Sequence, residues 1–454
     1  MIKIGLEIHV QLNTKSKIFC SCPNPANLKE ENLKPNTLCC PICLGLPGAK
    51  PTFNKKVLEE ALKVALALNC KINEEIFFSR KTYFFPDMPQ NYQITQYEEP
   101  LGLEGEFQGI KIRRIHMEED PGKLIHQGNI VLIDYNRSGT PLIEIVTEPQ
   151  FTSTFQARQF LQNLLTLLEY LNVYNRKSEA SLRVDANIST TDARVEIKNI
   201  GSTKEVEKSL NSEIERQKSN PPKEQETRGW DPEIQTTFLM RTKETEEDYG
   251  YIFDGNLTKI AISKELIEKT KLTLPELHDK KTTRFIKQYK IKSEDAKVLT
   301  ADLKLADLFE KVASKINHSL ASRWFVREVP KILNYNKLTL DEWGISEKEI
   351  TELLELLQNN QITERTAQKI LEKLSQEIFS PKDYAEKQKL LILTSLKDIE
   401  KLCDKAIKEN KKAVQDYKNG EEKSLNFLFG KVMQLSHGTA DPYKVKKILT
   451  KKLQ

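Results

Sequence analysis

Four short stretches carry side chains that could do chemistry together. The first, GLEIHVQL, alternates apolar Leu6, Ile8, Val10 and Leu12 with Glu7, His9 and Gln11. Period-two alternation predicts a half-buried strand. Its second face carries a carboxylate and an imidazole one pleat apart, a pair able to grip a cation. In the second stretch, IDYNRSGTPLIEIV, Asp134 to Arg137 ends a strand, Ser138-Gly139 turns the chain, and Leu142 to Val146 runs on apolar except for Glu144. A run this continuous predicts a strand covered on both faces. Glu144, on the side of Leu142 and Val146, then needs a cation or a donor, which an ion pair with Arg137 or a metal ion would supply. The third, IHMEEDPGK, sets Glu118, Glu119 and Asp120 between His116 and a Pro121-Gly122 turn. Together Glu7, His9, Glu119 and Glu144 offer hard oxygen ligands and one nitrogen, a set suited to Mg²⁺ or Mn²⁺ handling phosphate rather than to structural zinc.

The fourth stretch, LRVDANIS, points Leu182, Val184, Ala186 and Ile188 one way and Arg183, Asp185 and Asn187 the other. After a turn at Thr190–Ala193, VEIKNI alternates Glu196 and Lys198 with Val195 and Ile197. A hairpin of the two gathers Arg183, Asp185, Glu196 and Lys198 on one surface. Cross-strand salt bridges on a wet face would account for them; beside a divalent cation, the same basic groups suit a nucleotide phosphate. Five of the seven cysteines crowd between Cys20 and Cys43, in FCSC and LCCPICLG. Cys20, Cys22, Cys40 and Cys43 could close a tetrahedral zinc site with Cys39 left over, and reduced thiols without metal are the alternative. Either way their role is structural.

These residues need a scaffold, and the chain before about residue 290 supplies one. Short alternating runs are separated by Gly, Pro and Asp turns, with amphipathic helices over Asn54–Asn69, Thr154–Leu171 and Thr203–Gln217 to cover a sheet. That is an α+β layout. Beyond residue 290, glycine and strand patterns thin out, and segments such as KEITELLELLQNN carry apolar residues at helical spacing, predicting an all-α remainder. No repeats or heptads stand out.

At 454 residues the chain is too long for one core, and two or three domains are expected. With no basic-then-apolar leader and no apolar run of about 18 residues, it reads as cytosolic rather than secreted or membrane-inserted. The net charge of +5 is unevenly spread: Glu386 to Gln454 holds 16 lysines and no arginine against nine acidic residues, a charge of +7, so the first 385 residues carry −2. Lysine-rich helices are either a soluble surface or a polyanion contact.

GLEIHVQL, CPICLGLPGAKP, SRKTYFFPDMPQNYQITQY, HMEEDPGKLIH, LIDYNRSGTPLIEIVTEP, SEASLRVDANIS and EIKNIGSTKEVEKSL, in this order, resemble the B-subunit family of the tRNA-dependent amidotransferase. The resemblance continues through FLMRTKETEEDYGYIF to VQDYKNGEEKSLNFLFGKVM, and so spans essentially the whole chain. It implies an enzyme that activates the side-chain carboxylate of Glu-tRNA(Gln), and often Asp-tRNA(Asn), with ATP and Mg²⁺. A partner of amidase type, the glutaminase of the complex, supplies ammonia, and a small third protein holds the other two together. It implies a cradle domain related to glutamine synthetase over residues 1–290, a helical domain over 291–385 and a YqeY-like, tRNA-contacting tail over 386–454. It also implies Glu7, His9, Glu119 and Glu144 as the metal positions, with Arg137 and Lys81 in the catalytic set. Tyr83 joins Arg183, Asp185 and Lys198 in contacting the nucleotide.

What the chain lacks agrees with that reaction. There is no G-x₄-G-K-[ST] loop, so ATP would bind on the sheet, and no Ser-rich amidase signature, so ammonia must come from elsewhere. Two stretches depart from the pattern. Many relatives read DYRYFPEPD where this chain has Asp248-Tyr249-Gly250-Tyr251-Ile252-Phe253-Asp254-Gly255, so no role is carried onto that stretch, and Ala440 precedes Asp441-Pro442 where Asn is common. A non-catalytic RNA-binding scaffold is the rival reading, against which the convergent acid ligands argue.

Overall fold

The computed structural model describes residues 2–28, 33–175, 178, 181–191, 193–242, 250–392, 396–421, 423–436 and 438–453. Their contacts divide the chain into two units, Met1–Leu277 and His278–Gln454. The boundary falls one helix before the change of texture at residue 290, because Phe285 and Tyr289 of the His278–Tyr289 helix already pack into the second unit's core.

The first unit is built on a nine-stranded sheet. In chain order its strands are β1 (Lys3–Gln11), β2 (Lys71–Ile72), β3 (Gly102–Phe107), β4 (Ile110–Asp120), β5 (Thr140–Thr147), β6 (Leu182–Ser189), β7 (Val195–Ile200), β8 (Glu226–Asp231) and β9 (Thr236–Thr242). Across the sheet they run β9-β8-β7-β6-β1-β5-β4-β3-β2, which puts β1 at the centre. Neighbours are antiparallel except β7 and β8.

The alternation in β1 decides which way the sheet faces. Ile4, Leu6, Ile8 and Val10 are at most 1% exposed and enter the main core, where full burial of such side chains is worth about 1.5–3 kcal/mol each. Helices α1 (Lys55–Ala67), α2 (Thr154–Tyr170) and α3 (Thr203–Ser219) contribute to the same core, within two residues of the ends expected from periodicity. Their starts are set by Asn54, Ser153 and Ser202, whose side chains accept from the backbone amides of Lys56, Gln156 and Glu205. β5 is buried along its whole length, as its apolar run requires.

The second unit is helical among its described residues. One core gathers Phe309, Trp324, Phe325 and Leu353 with neighbouring apolar residues, and a smaller one gathers Ile399, Cys403, Leu428, Val432, Val445 and Leu449. Its sharp helix starts include capping boxes at Thr339/Glu342 and Ser346/Glu349. No described helix is long and apolar enough to cross a membrane.

Candidate active site on the polar face of the sheet

Directly opposed residues of antiparallel strands share a face, so the register builds the site row by row. Arg183, His9, Glu144 and His116 lie side by side across β6, β1, β5 and β4, and Asp185 lies beside Glu7 in the next row. Leu142 lies beside Glu118 on the other side.

His9, Glu118 and Glu144 converge. His9 Nε2 is 3.7 Å from Glu118 Oε1 and 3.6 Å from Glu144 Oε2. Octahedral Mg²⁺ with bonds near 2.1 Å has ligand edges of roughly 3 Å, so a small contraction would seat the ion. Behind them His116 Nε2 lies 3.0 Å from Glu144 Oε2 and 3.5 Å from Glu118 Oε2. Burial alone would push both carboxyls up. At Glu144 the charges of His116, His9 and Arg114 outweigh burial, and at Glu118 the hydrogen bond from His116, helped by His9, outweighs it and the repulsion from Glu144, so both lie below the carboxylate range. Burial opposes charge on His116 too, yet the two carboxylates raise it to about 9. The result is a pair of ionised acids held by an imidazolium, a donor set that fits a hard divalent cation.

Glu7, expected in the same set, belongs to a second cluster with Asp185 and Glu196. Its Oε1 accepts from Asn187 Nδ2 at 2.9 Å, and burial, with repulsion from Glu144, Glu196 and Asp185, raises its pKa. Lys198 Nζ stands 2.8 Å from Glu196 Oε1 and 3.2 Å from Asp185 Oδ2. Burial disfavours that ammonium, but Asp185 and Glu196 more than compensate and keep it charged.

Glu119 is a correction. Its carboxylate turns to the other side of β4, where it accepts from the Ile94 amide at 2.8 Å and Gln90 Nε2 at 2.7 Å, and burial pushes it up to about 8. Glu118 takes its place. The register slips where Thr147 faces Ile112 and Val146 faces Arg114, leaving Arg113 as the extra residue. Past that bulge Ile115 and Met117 enter the core, so Glu119 follows them and His116, Glu118 and Asp120 point to the polar face. The parity of Ile115 and Met117 carried this signal in the sequence.

The anticipated Arg137–Glu144 pair is also absent among the described residues. The Ser138-Gly139 turn, with Gly139 at φ +77°, brings Arg137 to Asp120 instead, at 3.5 Å, and it donates to the carbonyls of Pro121 and Gly122. Asp120 is fully buried, also pairs with Arg183 and accepts from Gln11 Nε2 at 2.7 Å. Arg183 is therefore drawn off the hairpin surface that Asp185, Glu196 and Lys198 do share.

Glu7, His9, Glu118, Glu144, Asp185, Glu196 and Lys198 line one cavity of about 190 Å³, together with Lys81, Gln96, Tyr97, Arg114, His116, Arg194 and Tyr251. Tyr83 is not in this lining; its ring lies 5.2 Å from that of Phe85. Tyr251 comes from the variant stretch, whose Asp248 and Tyr249 lie outside the described residues. Its ring stacks on Tyr97, with centroids 4.0 Å apart and planes 7° from parallel. Gly250 before it has φ +49°, a left-handed conformation natural to glycine. Fully buried Asp254 anchors the stretch through Arg80 at 2.8 Å. Glu118, His116, Arg114, Gln96 and Tyr251 are thus among the lining residues that sequence reasoning passed over.

The four cysteines form a separate cluster. Cys43 Sγ lies 3.3 Å from Cys20 Sγ and 3.7 Å from Cys40 Sγ, and all four sulfurs fit within 4.8 Å of one another. The hydrogen bond from Cys20 pulls Cys43 down to about 4 against the effect of burial, and fully buried Lys17, with Nζ 3.4 Å from the Cys43 sulfur, adds to it. Four clustered sulfurs with a thiolate among them fit a metal such as zinc.

The first unit thus carries acid–imidazole clusters on the polar face of a mostly antiparallel sheet, and a helical unit follows it. The profile of the GatB/GatE catalytic domain matches residues 2–268, and that of the GatB domain matches residues 307–453. The chain is 41% identical to the aspartyl/glutamyl-tRNA(Asn/Gln) amidotransferase B subunit of Carboxydothermus hydrogenoformans over 99% of its own length and 98% of the relative's. It is 42% identical to that of Methanothermobacter thermautotrophicus over the full length of both, and 41% identical to that of Thermotoga maritima over 99% and 98%. The chain belongs to the amidotransferase B-subunit family, a family of ligases.

Proposed function

We propose that this chain activates the side-chain carboxylate of misacylated Glu-tRNA(Gln) and/or Asp-tRNA(Asn) with ATP, for amidation by ammonia from a partner glutaminase. A small third protein would complete the heterotrimer, in the cytoplasm. The convergence of His9, Glu118 and Glu144 beside basic groups carries this reading. Mg²⁺ or Mn²⁺ held there would neutralise phosphate charge during transfer. The likeness of the sheet domain to glutamine synthetase, an enzyme of parallel chemistry, is part of the same proposal.

A carboxylate oxygen of the substrate bonds to the γ-phosphorus of ATP as the bond to ADP breaks. Ammonia then adds its lone pair to the carbonyl carbon, the C–O bond to phosphate breaks with its electrons, and a proton passes from nitrogen to the departing phosphate. His9, Glu118 and Glu144 would hold the cation, and His116 fixes the two acids in their ionised form. Lys198 and Lys81 face the phosphates, Asp185 and Tyr83 contact the nucleotide, and Arg137 and Arg183 lock Asp120 at the far end of the polar face. Glu7, with Asp185 and Glu196, would offer a second cation position.

Glu144→Gln tests the reading. The near-identical shape should preserve folding, although a buried imidazolium that loses its partner should lower the melting temperature, since breaking such a pair leaves an uncompensated charge worth about 3–5 kcal/mol. ATP cleavage dependent on glutamyl-tRNA should vanish while the partner's glutaminase persists. Transamidation at the wild-type rate would overturn the assignment.

A further inference from the structure

Most charged groups on the polar face of the sheet are hydrogen-bonded or in close ion pairs, but among the described residues one beside the cation position feels Glu144 only through space. Arg114 lines the cavity two residues before His116, and its guanidinium makes no hydrogen bond or ion pair among the described residues; its Nε is buried and unpartnered. Neighbouring Arg113 shows the ordinary arrangement, a two-point pair with Glu148 at 2.9 and 3.0 Å. Arg114 instead lies 6.0 Å from the centroid of Tyr97, whose ring is in turn stacked on Tyr251. Aromatic faces orient a guanidinium without using its donors.

Gln96 is the second observation. It is 1% exposed, and its Oε1 accepts from the Met117 amide at 2.9 Å. That backbone donor fixes which end of the side-chain amide is oxygen, leaving the two N–H donors on the opposite side. Nε2 is buried without a partner, and Gln96 lines the same cavity as Arg114. Unpaired buried donors are rare because each forfeits hydration, so Arg114 and Gln96, with His116 Nδ1 as a third in the same acid-lined cavity, indicate a ligand that accepts.

We infer that Arg114 and Gln96 form an anion subsite that takes a phosphoryl group beside the His9/Glu118/Glu144 cation position. A bare anion would be repelled by Glu118 and Glu144; a phosphoryl group arriving with a divalent cation is not. The flat guanidinium fork matches two phosphate oxygens, whereas Lys198 offers a single point charge that it shares with Asp185 and Glu196. The inference rests on the carboxylate-activation reading and names which residues of this chain hold the group that moves from ATP to substrate and then leaves as phosphate.

Calorimetric titration of the full-length chain with inorganic phosphate, in the presence of Mg²⁺ and ADP, tests it. Arg114→Ala should raise the phosphate Kd at least tenfold and Gln96→Leu by about three- to tenfold, the weight of charge-assisted hydrogen bonds. Arg114→Lys, which keeps charge but loses the fork, should fall between Arg114→Ala and wild type and guards against a misfolded alanine variant. The Kd for MgADP alone should move less than threefold. No phosphate binding by the wild type, or wild-type phosphate affinity in the Arg114→Ala and Gln96→Leu variants, would overturn the subsite. If the variants match a wild type that still cleaves ATP in response to glutamyl-tRNA, only the subsite fails. A wild type that cleaves no ATP under those conditions would instead remove the activation reading itself.

Discussion

Glu60 shows how a single buried acid can tune stability without touching the chemistry. It sits on the core side of α1, 6% exposed, and its Oε2 has no hydrogen-bond partner among the described residues. Burial pushes its pKa up to about 7 from an ordinary 4.5, despite Lys56 and Lys63 nearby. Between pH 4.5 and 7 the folded chain therefore holds a proton that the unfolded chain releases, so stability falls as pH rises through that window and stays lowered above it. Glu60→Gln should stabilise the first unit by up to about 3 kcal/mol at pH 8 and by almost nothing at pH 4. Thermal melts of both proteins across that range check this, and a constant difference in melting temperature would contradict it. The side chains of the candidate site were less readable than such isolated groups. Glu144, His9 and Lys198 declared themselves as polar residues inside apolar or alternating runs. The choice of Glu118 over Glu119 depended on a bulge at Arg113, which exists only once β4 is paired with β5. Tyr251 reaches the cavity from a segment that carries no recognisable motif; the residues after it, Ile252 and Phe253, pair with the Ser79–Thr82 strand.

The strands, helices and caps were readable because period and capping chemistry are local, whereas the loops that fasten them are not. The cysteine loop is the clearest case. Residues near it grip the turn that carries Arg137: the Leu38 amide donates to Asn136 Oδ1 at 2.7 Å, Ser138 Oγ donates to the Cys43 carbonyl at 3.1 Å, and Lys17 Nζ reaches the Tyr135 carbonyl at 3.4 Å. The cysteine loop is thus fastened to the turn whose Arg137 pairs with the buried Asp120. Zn–S bonds near 2.3 Å give tetrahedral edges of roughly 3.8 Å, close to the Cys40–Cys43 spacing. The purified, reduced protein should contain about one zinc per chain, with sulfur neighbours near 2.3 Å by X-ray absorption. Cys40→Ser should remove the metal and lower the melting temperature, since structural zinc contributes directly to folding. A reduced preparation with no metal would retire the site.

The chain as a whole separates a nearly neutral catalytic part from a basic end, and the charge asymmetry that composition revealed persists in the folded tail. Lys444, Lys446, Lys447, Lys451 and Lys452 lie on the Pro442–Leu453 helix, and Lys423 opens the Lys423–Leu435 helix. Among the described residues, Lys452 meets Asp404 at 2.5 Å and Lys444 reaches Asp441 at 4.0 Å. Val445 and Leu449 turn into the small core, which holds the remaining lysines in fixed relation to one another. If this surface and Lys418 receive tRNA phosphates, affinity should fall with salt by roughly 0.7 to 0.9 log units per phosphate neutralised for each log unit of salt. Removing Glu386–Gln454 should weaken tRNA binding and flatten that slope. Turnover at saturating tRNA should suffer much less, because binding lost equally from ground and transition states changes KM rather than kcat. The partner's glutaminase measured without tRNA should not change. Titrating labelled tRNA against full-length and truncated chains at several salt concentrations separates this from an ordinary soluble surface, for which the two sets of curves would overlap.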